Sequence, residues 1–475
     1  MRAPIGVTAP ARFRGALLTP ADPGYDIART VHNERAAAAP ALIARCAGVA
    51  DVRAALQLAR REGLEIAVRG GGHSVGGYSS VGGGLVIDVS GLDWVRVDPA
   101  TCTAWVGGGT RAIDLLIEAG EFGLVAVTGT IGTIGVGGLL LGLGEGYLTG
   151  RHGFGIDNVL ELEVVTADER VLRVSADDNP DLFWAMRGAG ANFGVVTAMR
   201  LRLHPAPERP MGGRLAFAGD DLAPVTAHLW QAMRHASPSF APLATYMTGE
   251  TGEPVVLVIP AHVGSADAAE QEAAALRHCG TPIIDDARFE SYLDLIGEVS
   301  NGAPQAEPGA APRTAWEILR FPFDENSELQ QQAFLDQVRA LRGKGQWLSL
   351  VLWRTAAPPA PVPSAAPRHP GITVFIASYW RDPSEDEARV QEVRGIAQAL
   401  FGTGLVAQAA NGVNHLADPD ETRLSAVYGA ESYKRLTQVK AAHDPGNRFR
   451  HNANIPPAMS PGVARGTAGD RGPTS

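Results

Sequence analysis

The chain has 475 residues, of which 45% are hydrophobic and 19% are charged, and its formal net charge is -10 at pH 7. A chain of this length exceeds one ordinary hydrophobic core, which predicts two or three domains in a globular protein. The negative charge argues against a nucleic-acid partner, because phosphate contact requires a basic face, and no apolar run approaches the length of a membrane span.

Strands and helices alternate through the first 205 residues. Residues 50–61 place apolar side chains at helical spacing with arginines mostly opposite, which predicts an amphipathic helix. Residues 64–70 predict a buried strand that runs into a group of glycines. The later predictions are strands at 84–90, 94–99 and 103–109, a helix at 110–120, and a hairpin, a Pro-started helix and a strand within 159–203. This mixture is typical of α/β or α+β folds.

The sequence changes in character after Pro205 and predicts a second domain, a sheet with helices on one face. Its predicted helices lie near 264–278, 326–342 and 384–401, and its predicted strands at 253–260, 347–354 and 371–380. The proline-rich segment 357–370 is incompatible with a helix and predicts a surface loop. Residues 460–475 have the composition of a disordered tail.

The cysteines bear on the compartment. Cys46, Cys102 and Cys279 are widely separated and fit neither a disulfide framework nor a metal site, which predicts a reducing cytoplasm and no metal. The amino-terminal stretch lacks the apolar block of a secretory signal.

Glycine is unusually frequent, with 56 residues where the ordinary fraction of roughly 7% would give about 33. The glycines cluster at 70–84, 107–109 and 129–155. Clusters of this kind inside a folded domain indicate close approach of the backbone to something else, or repeated turns with positive φ.

The stretch "RGGGHS" at 69–74 offers consecutive backbone N–H groups that suit an anion. A nicotinamide-type Rossmann site is unfavoured there, because the glycines continue into 75–84 and cannot open a helix. The bare backbone of 128–146 would suit an extended ligand lying along it. Taken alone, His73 is better explained as a histidine hydrogen-bonded within a turn.

The order of the motifs indicates a family. "RGGGHSVGGYSS", "GTIGTIGVGG", "GRHGFGIDNV" and "DLFWAMRGAGANFGVVT" together resemble the FAD domain of the vanillyl-alcohol-oxidase superfamily. The segment "YGAESYKRLTQVKAAHDPGNRFRHNANIPP" at 428–457 resembles the end of its berberine-bridge-enzyme-like branch. The resemblance implies an α+β fold with a two-part FAD-binding domain of the PCMH type and a substrate domain whose antiparallel sheet is covered by helices. The implied boundaries are an amino-terminal segment 1–30, an FAD-binding domain 31–207, a substrate-binding domain 208–410, a carboxy-terminal segment 411–459 that returns to the FAD domain, and a disordered tail 460–475.

The resemblance also implies a covalent cofactor. In that family the histidine of the R-G-G-G-H loop bonds to the 8α-methyl of FAD, which assigns the attachment to His73. A second attachment, through cysteine, is common, but Ile131 stands at that position, so we expect single attachment. The other implied FAD-binding residues are Arg69, Gly70, Gly71, Gly72, Ser74, Gly77, Tyr78, Gly129, Thr130, Ile134, Gly135, Gly137, Gly138, Gly142, Asn192, Gly194, Val196, Asn452 and Asn454.

The sequence departs from the family pattern where the substrate binds. Gly412 occupies the position of the usual tyrosine near "GVNHL". The candidates for a replacement catalytic group are His415, Tyr379, Tyr147, His152 and Glu145. Each is also explained as a packed or solvent-exposed polar group, and sequence does not give the hydrogen-bond distances that decide.

These features favour an FAD-linked oxidase that transfers a hydride from a small alcohol, sugar, amine or natural-product intermediate to flavin N5, with O2 as the expected acceptor and H2O2 as product. Ile134 matches the position that gates oxygen in the family, which leaves oxidase and dehydrogenase both open. The further alternatives are an oxidative cyclase, a flavin-binding protein without turnover and, more remotely, an NAD-linked enzyme. The expected setting is the bacterial cytoplasm and secondary metabolism, with no nucleic-acid or membrane partner and a monomer or homodimer.

Overall fold

A computed structural model describes residues 13–235, 237–300, 311–344, 348–407, 412–416 and 419–458. The predicted tail at 460–475 lies outside these ranges, as do the first twelve residues of the predicted amino-terminal segment. The described ranges include no helix of the length and apolarity needed to cross a membrane.

The first sheet has four strands and carries the "RGGGHS" loop at one strand end. Its strands, in spatial order, are Ala16–Leu18, Leu42–Arg45, Leu85–Asp88 and Ile66–Arg69. The last three are parallel to one another, as strands joined by crossovers must be. The predicted amphipathic helix is Val49–Glu62, and it buries its apolar face against this sheet. The helix ends at Gly63, whose φ of 63° is left-handed.

The second sheet has five antiparallel strands and shares a hydrophobic core with most of the glycine-rich region. Its strands, in spatial order, are Val95–Asp98, Thr103–Gly107, Val195–Arg202, Val159–Val165 and Val171–Ser175. The helices of this region are Ala112–Gly120, Val136–Gly142, Thr149–His152 and Pro180–Ala189. The last of these helices is kinked at Arg187 and Gly188.

The third sheet has seven antiparallel strands. In spatial order they are Ile284–Asp285, Leu215–Ala218, Pro254–Ile259, Leu243–Thr248, Leu348–Thr355, Gly371–Trp380 and Arg313–Pro322. Alternate strand residues share one core with the helices Leu222–His235, Ala266–Arg277, Ser327–Arg339 and Asp386–Gly402. The helices therefore cover one face, as predicted, and the opposite face carries Trp316 and Tyr379 to the cavity described below.

The carboxy-terminal helices Glu421–Tyr428 and Ala430–His443 pack into the core that contains Leu182 and Met186 of the kinked helix. The remaining short elements are helices Tyr25–Ala28 and Tyr292–Ser300, strand pairs Leu124–Val125 with His204–Pro205 and Met211–Gly212 with Arg288–Phe289, and 3-10 turns Glu34–Ala36, Gly155–Asn158, Gly190–Asn192, Gly219–Asp221, Pro383–Glu385 and Val413–His415.

The glycine-rich stretch 128–146 contains the helix Val136–Gly142, whose Val136 and Leu140 side chains are buried in the core. One local prediction needs correction. The proline-rich segment 357–370 has neither helix nor strand, as expected, but it is more than a surface loop. Its Ala365 is buried and donates its backbone N–H to Trp184 and Arg187 carbonyls, at 3.1 and 3.0 Å.

Candidate active site

A cavity of about 650 Å³ lies where the glycine loops meet the bare face of the seven-stranded sheet. That volume is within the range of small-molecule and cofactor sites. Its wall is mostly apolar or backbone and contains residues from eight separate stretches of the chain. The wall comprises His32, Ile66, Val68, Gly70, Gly71, Gly72, His73, Ser74, Val75, Tyr78, Ser79, Ile131, Ile134, Gly135, Gly138, Leu139, Leu141, Gly142, Ala189, Gly190, Ala191, Asn192, Pro312, Trp316, Tyr379, Val413, Asn414, Phe449, His451, Asn452 and Ala453.

The two glycine loops touch each other through their backbones beside this cavity. A Cβ added to Gly71 would lie 2.4 Å from the Gly135 nitrogen, and one added to Gly135 would lie 2.5 Å from the Gly71 nitrogen. Gly72 has a φ of 72°, a conformation that L side chains rarely adopt. Glycine is therefore required at this seam by space and by backbone conformation.

His73 follows the seam and stacks on His32, with ring centroids 4.3 Å apart. The backbone N–H of His32 donates to the Gly72 carbonyl at 3.0 Å, which holds His32 beside His73. Burial, followed by the neighbouring His32, lowers the pKa of His73 to about 3. The imidazole is therefore neutral at physiological pH and keeps a ring-nitrogen lone pair that can bond to an electrophilic carbon.

The wall also contains buried polar atoms that lack protein partners. Ser79 Oγ and Asn452 Oδ1 have no hydrogen-bond partner among the described residues, although both residues line the cavity. Unpaired buried polar atoms are costly in an isolated chain and are explained by a bound polar group. Together with the bare backbone at 70–72, they fit a ligand that has both phosphate and ring polar atoms.

The structure brings together twelve of the twenty predicted cofactor residues in this wall. They are Gly70, Gly71, Gly72, His73, Ser74, Tyr78, Ile134, Gly135, Gly138, Gly142, Asn192 and Asn452. Eight lie outside the lining, namely Arg69, Gly77, Gly129, Thr130, Gly137, Gly194, Val196 and Asn454. Two of these eight residues are glycines that allow close packing instead, since a Cβ on Gly137 would lie 2.5 Å from the Gly108 oxygen and one on Gly194 would lie 2.6 Å from Val164 Cγ1. Arg69 donates a hydrogen bond to the Ala28 carbonyl behind the loop.

Several wall residues were not predicted from the sequence, including His32, Trp316 and Phe449. His32 precedes the first recognised motif, and Trp316 lies on a strand that the residue pattern did not predict. Phe449 lies within the segment "HDPGNRF", which from the sequence indicates only the end of a helix. Asn414 could have been identified from the sequence, because it lies two residues after the atypical Gly412. Its side chain donates a hydrogen bond to the Leu139 carbonyl at 3.1 Å.

Of the catalytic candidates whose side chains are described, only Tyr379 lies in the wall of this cavity. Its ring makes an edge-on contact with Trp316 at a centroid distance of 6.3 Å. Burial raises the pKa of Tyr379 to about 12, although a hydrogen bond with Trp316 opposes the shift. The phenol is therefore protonated at neutral pH and acts as a hydrogen-bond donor.

The other candidates lie elsewhere. Tyr147 is fully buried and packs against Trp353 at a centroid distance of 5.6 Å. His152 stacks on His204 at 3.8 Å, and His204 Nε2 lies 2.8 Å from Asn158 Oδ1. The side chain of His415 lies outside the described residues, although its backbone belongs to the 3-10 turn Val413–His415.

Glu145 is half-buried as a residue, but its Oε1 atom is shielded from solvent. Burial raises the pKa of Glu145 to about 7, and a hydrogen bond from Thr355 partly opposes the shift. The Glu145 carboxyl group therefore titrates near neutral pH. It lies outside the cavity lining.

Glu145 predicts a pH-dependent stability difference. Since the pKa is raised in the folded chain, the protonated carboxyl favours folding below its ordinary pKa of 4.5, and this contribution is lost as the pH rises through about 7. We expect the free energy of unfolding of the wild-type chain, relative to Glu145→Gln, to fall across this interval in urea titrations. The exposed Glu431→Gln serves as the control, and a pH-independent difference for Glu145→Gln would contradict the assignment.

The fold, together with a cavity between glycine loops and a sheet, defines a class of protein, the FAD-linked oxidoreductases. Family models agree with this class: residues 40–175 match an FAD binding domain, and residues 415–456 match the family described as berberine and berberine like. The chain is 32% identical over 464 residues to the (R)-6-hydroxynicotine oxidase of Paenarthrobacter nicotinovorans, covering 96% of this chain and 99% of that protein. It therefore belongs to the berberine-bridge-enzyme-like family of PCMH-type FAD oxidases and is an FAD-dependent oxidoreductase.

Solved structures show the same architecture. The crystal structure of 6-hydroxy-D-nicotine oxidase from Arthrobacter nicotinovorans superposes with a TM-score of 0.88 at 30% identity, covering 94% of this chain and 99% of that one. A chitooligosaccharide oxidase shares the fold with a TM-score of 0.79 at 22% identity, covering 94% and 98% of the two chains. The predicted α+β class and FAD as the cofactor are confirmed.

Proposed function

We propose that this protein is an oxidase that carries FAD bonded to His73 alone and oxidises a small organic substrate, with O2 as electron acceptor and H2O2 as product. The observation that supports it best is the neutral imidazole of His73 in the cavity wall beside the Gly71–Gly135 seam. FAD, when bound, supplies the acceptor for a hydride at its N5 atom.

Single attachment is supported by what replaces the second tether. Ile131 lines the cavity, and by the family resemblance it stands at the position where many members have the second, cysteine attachment. The cavity wall, as far as the structure describes it, contains none of the three cysteines. Cys46 is buried beside Asp51 and Asp88, and burial raises the pKa of its thiol, which disfavours the reactive thiolate.

The proposed residues around the cofactor have separable tasks. The bare backbone at 70–72 and Ser74 would hold the pyrophosphate, while Ile134 and Gly135 would face the flavin ring. Tyr379 would bind the heteroatom of the substrate by donating its hydroxyl hydrogen, and Trp316 would keep that phenol in place. The apolar side chains Ile131 and Val413 would exclude water from the reacting atoms.

The substrate we propose is a small alcohol, sugar, amine or natural-product intermediate of bacterial secondary metabolism. The names of two relatives support small-molecule oxidation, one being a 6-hydroxynicotine oxidase. Another is a glucooligosaccharide oxidase from Sarocladium strictum, 37% identical over 188 residues that cover 39% of this chain and 38% of that protein. That second likeness covers less than two fifths of each chain, so it does not by itself support a sugar substrate.

The test is an anaerobic substrate panel on purified protein. We expect one class of substrate to bleach the flavin absorbance, and readmitted air to restore it with formation of H2O2. Bleaching that air does not reverse would favour the dehydrogenase alternative. A flavin that dithionite bleaches but no substrate does would overturn the proposal in favour of a flavin-binding protein without turnover.

Tyr379→Phe is expected to retain bound flavin but to reduce it more slowly, by roughly a hundredfold, because the hydrogen bond to the substrate heteroatom is lost. Stopped-flow absorbance measures the reduction rate directly. Tyr246→Phe is the matched control, because Tyr246 is a buried tyrosine hydrogen-bonded to Thr226 in the helix-covered core. Equal reduction rates for wild type and Tyr379→Phe would remove Tyr379 from the substrate site.

A further inference from the structure

Lys440 is a fully buried cation on the carboxy-terminal helix Ala430–His443. Its ammonium has three hydrogens and three acceptors. It donates to the Asn192 carbonyl at 2.6 Å, to Asp444 Oδ2 at 2.7 Å and to the Phe449 carbonyl at 2.9 Å. Long cationic side chains are almost never fully buried unless they are paired, so this arrangement calls for an explanation.

Two of these acceptors belong to segments that both form the cavity wall. Residues 189–192 contribute four consecutive wall residues, and Phe449 with residues 451–453 contributes four more. The two segments are more than 250 positions apart in sequence. Lys440 itself is not in the wall but lies behind it, with one hydrogen on each segment.

Asn192 and Asn452 join the same two segments at the wall itself. The Asn192 amide donates to the Ala453 carbonyl at 3.2 Å and accepts from the Ile455 N–H at 2.9 Å. The Asn452 amide donates to the Ala191 carbonyl at 2.8 Å. These bonds leave Asn452 Oδ1 without a partner among the described residues, and it lies in the wall.

Asp444 completes the arrangement behind the wall. Its carboxylate accepts from the backbone N–H groups of Arg448 at 2.8 Å and Phe449 at 2.9 Å, in addition to Lys440. Asp444 therefore neutralises the buried ammonium and also fixes the turn that leads into the wall segment.

We infer that Lys440 is a positioning residue for FAD: its ammonium sets the spacing between the 189–192 turn and the 449–453 segment, and so shapes the wall against which the cofactor binds. The inference rests on the proposed cofactor site. It states that FAD binding depends on the hydrogen bonds from Lys440 to the Asn192 and Phe449 carbonyls, and not only on the neutralisation of Asp444.

The experiment measures FAD affinity by flavin fluorescence in apoprotein that carries His73→Ala, which keeps binding reversible. Lys440→Met removes all three donors and leaves Asp444 buried without its partner. Lys440→Met with Asp444→Asn removes both charges, so that the fold remains testable. Lys434→Met is the matched control, because Lys434 is exposed on the same helix.

We expect both Lys440 variants to bind FAD about tenfold or more weakly, since hydrogen bonds from a charged donor are lost. The double variant should nevertheless recover thermal stability relative to Lys440→Met, and Lys434→Met should bind FAD like its parent. Parent-like affinity in the double variant would overturn the inference, because Lys440 would then serve only to neutralise Asp444. If the His73→Ala parent itself fails to bind FAD, the proposed site fails, and the inference fails with it.

Discussion

Replacing His73 by alanine is expected to abolish covalently attached flavin. Wild-type protein, denatured and filtered, should keep its yellow colour and show the added mass of FAD, whereas His73→Ala should release all of its flavin. The reason is that the His73 imidazole is half-buried in the cavity wall and its pKa is lowered to about 3, so an uncharged ring nitrogen is available for the bond. Flavin that remains bound without the tether should be a weaker oxidant, because the 8α substituent withdraws electron density from the ring.

His451→Ala is the matched control for that experiment. His451 also lines the cavity, but its Nε2 lies 2.7 Å from the Ser80 carbonyl and its ring makes an edge contact with Tyr78. We expect this variant to keep the covalent flavin. Two results would contradict the assignment: flavin that washes out of denatured wild type, or an intact mass for His73→Ala that still includes FAD.

The elements predicted from sequence are those whose pattern is local. The helix Val49–Glu62 and the strand Ile66–Arg69 were predicted within two residues, because apolar spacing and flanking glycines determine them. The helix Leu222–His235 and the strand Arg313–Pro322 were missed. Their apolar residues contact a core assembled from distant strands, so their spacing along the chain alone did not reveal them.

Site residues that belong to one loop with a recognisable local pattern could be predicted from the sequence. Site residues that come together only when distant parts of the chain fold against each other could not. The "RGGGHS" loop drew attention to His73, which lies in the cavity wall, since bare backbone beside a polar side chain is a local pattern. The stacking of His32 on His73 depends on how residues 30–36 cross the loop, which no spacing encodes. Tyr379 was one of five candidates. Tyr147 and Glu145 approach the same helix-free face of the seven-stranded sheet, but they contact Trp353 and Thr355, which pair with the opposite end of the strand Gly371–Trp380.

Substituting alanine at Gly71 is expected to have the second large effect, on both cofactor content and stability. The added Cβ would lie 2.4 Å from the Gly135 nitrogen and 3.0 Å from its Cα, and both are backbone atoms that cannot rotate aside. The loops 70–72 and 134–138 must therefore separate, which we expect to cost about 2 kcal/mol or more in free energy of unfolding. The separation moves His73 away from Ile134 across the cavity, so covalent flavin should fall sharply.

Gly82→Ala isolates this steric cause from the general effect of replacing a glycine. Gly82 lies in the same glycine cluster and is exposed, and a Cβ added there would have no neighbouring atom within 4 Å. Urea unfolding and the absorbance ratio of flavin to protein, measured on both variants, should show a loss for Gly71→Ala alone. Unchanged stability together with full flavin content in Gly71→Ala would mean that the contact between the two loops does not hold the cavity in shape. A loss of stability with full flavin content would mean that the contact between Gly71 and Gly135 stabilises the fold but is not needed for cofactor attachment. Attachment would then depend on the immediate surroundings of His73 and His32 instead.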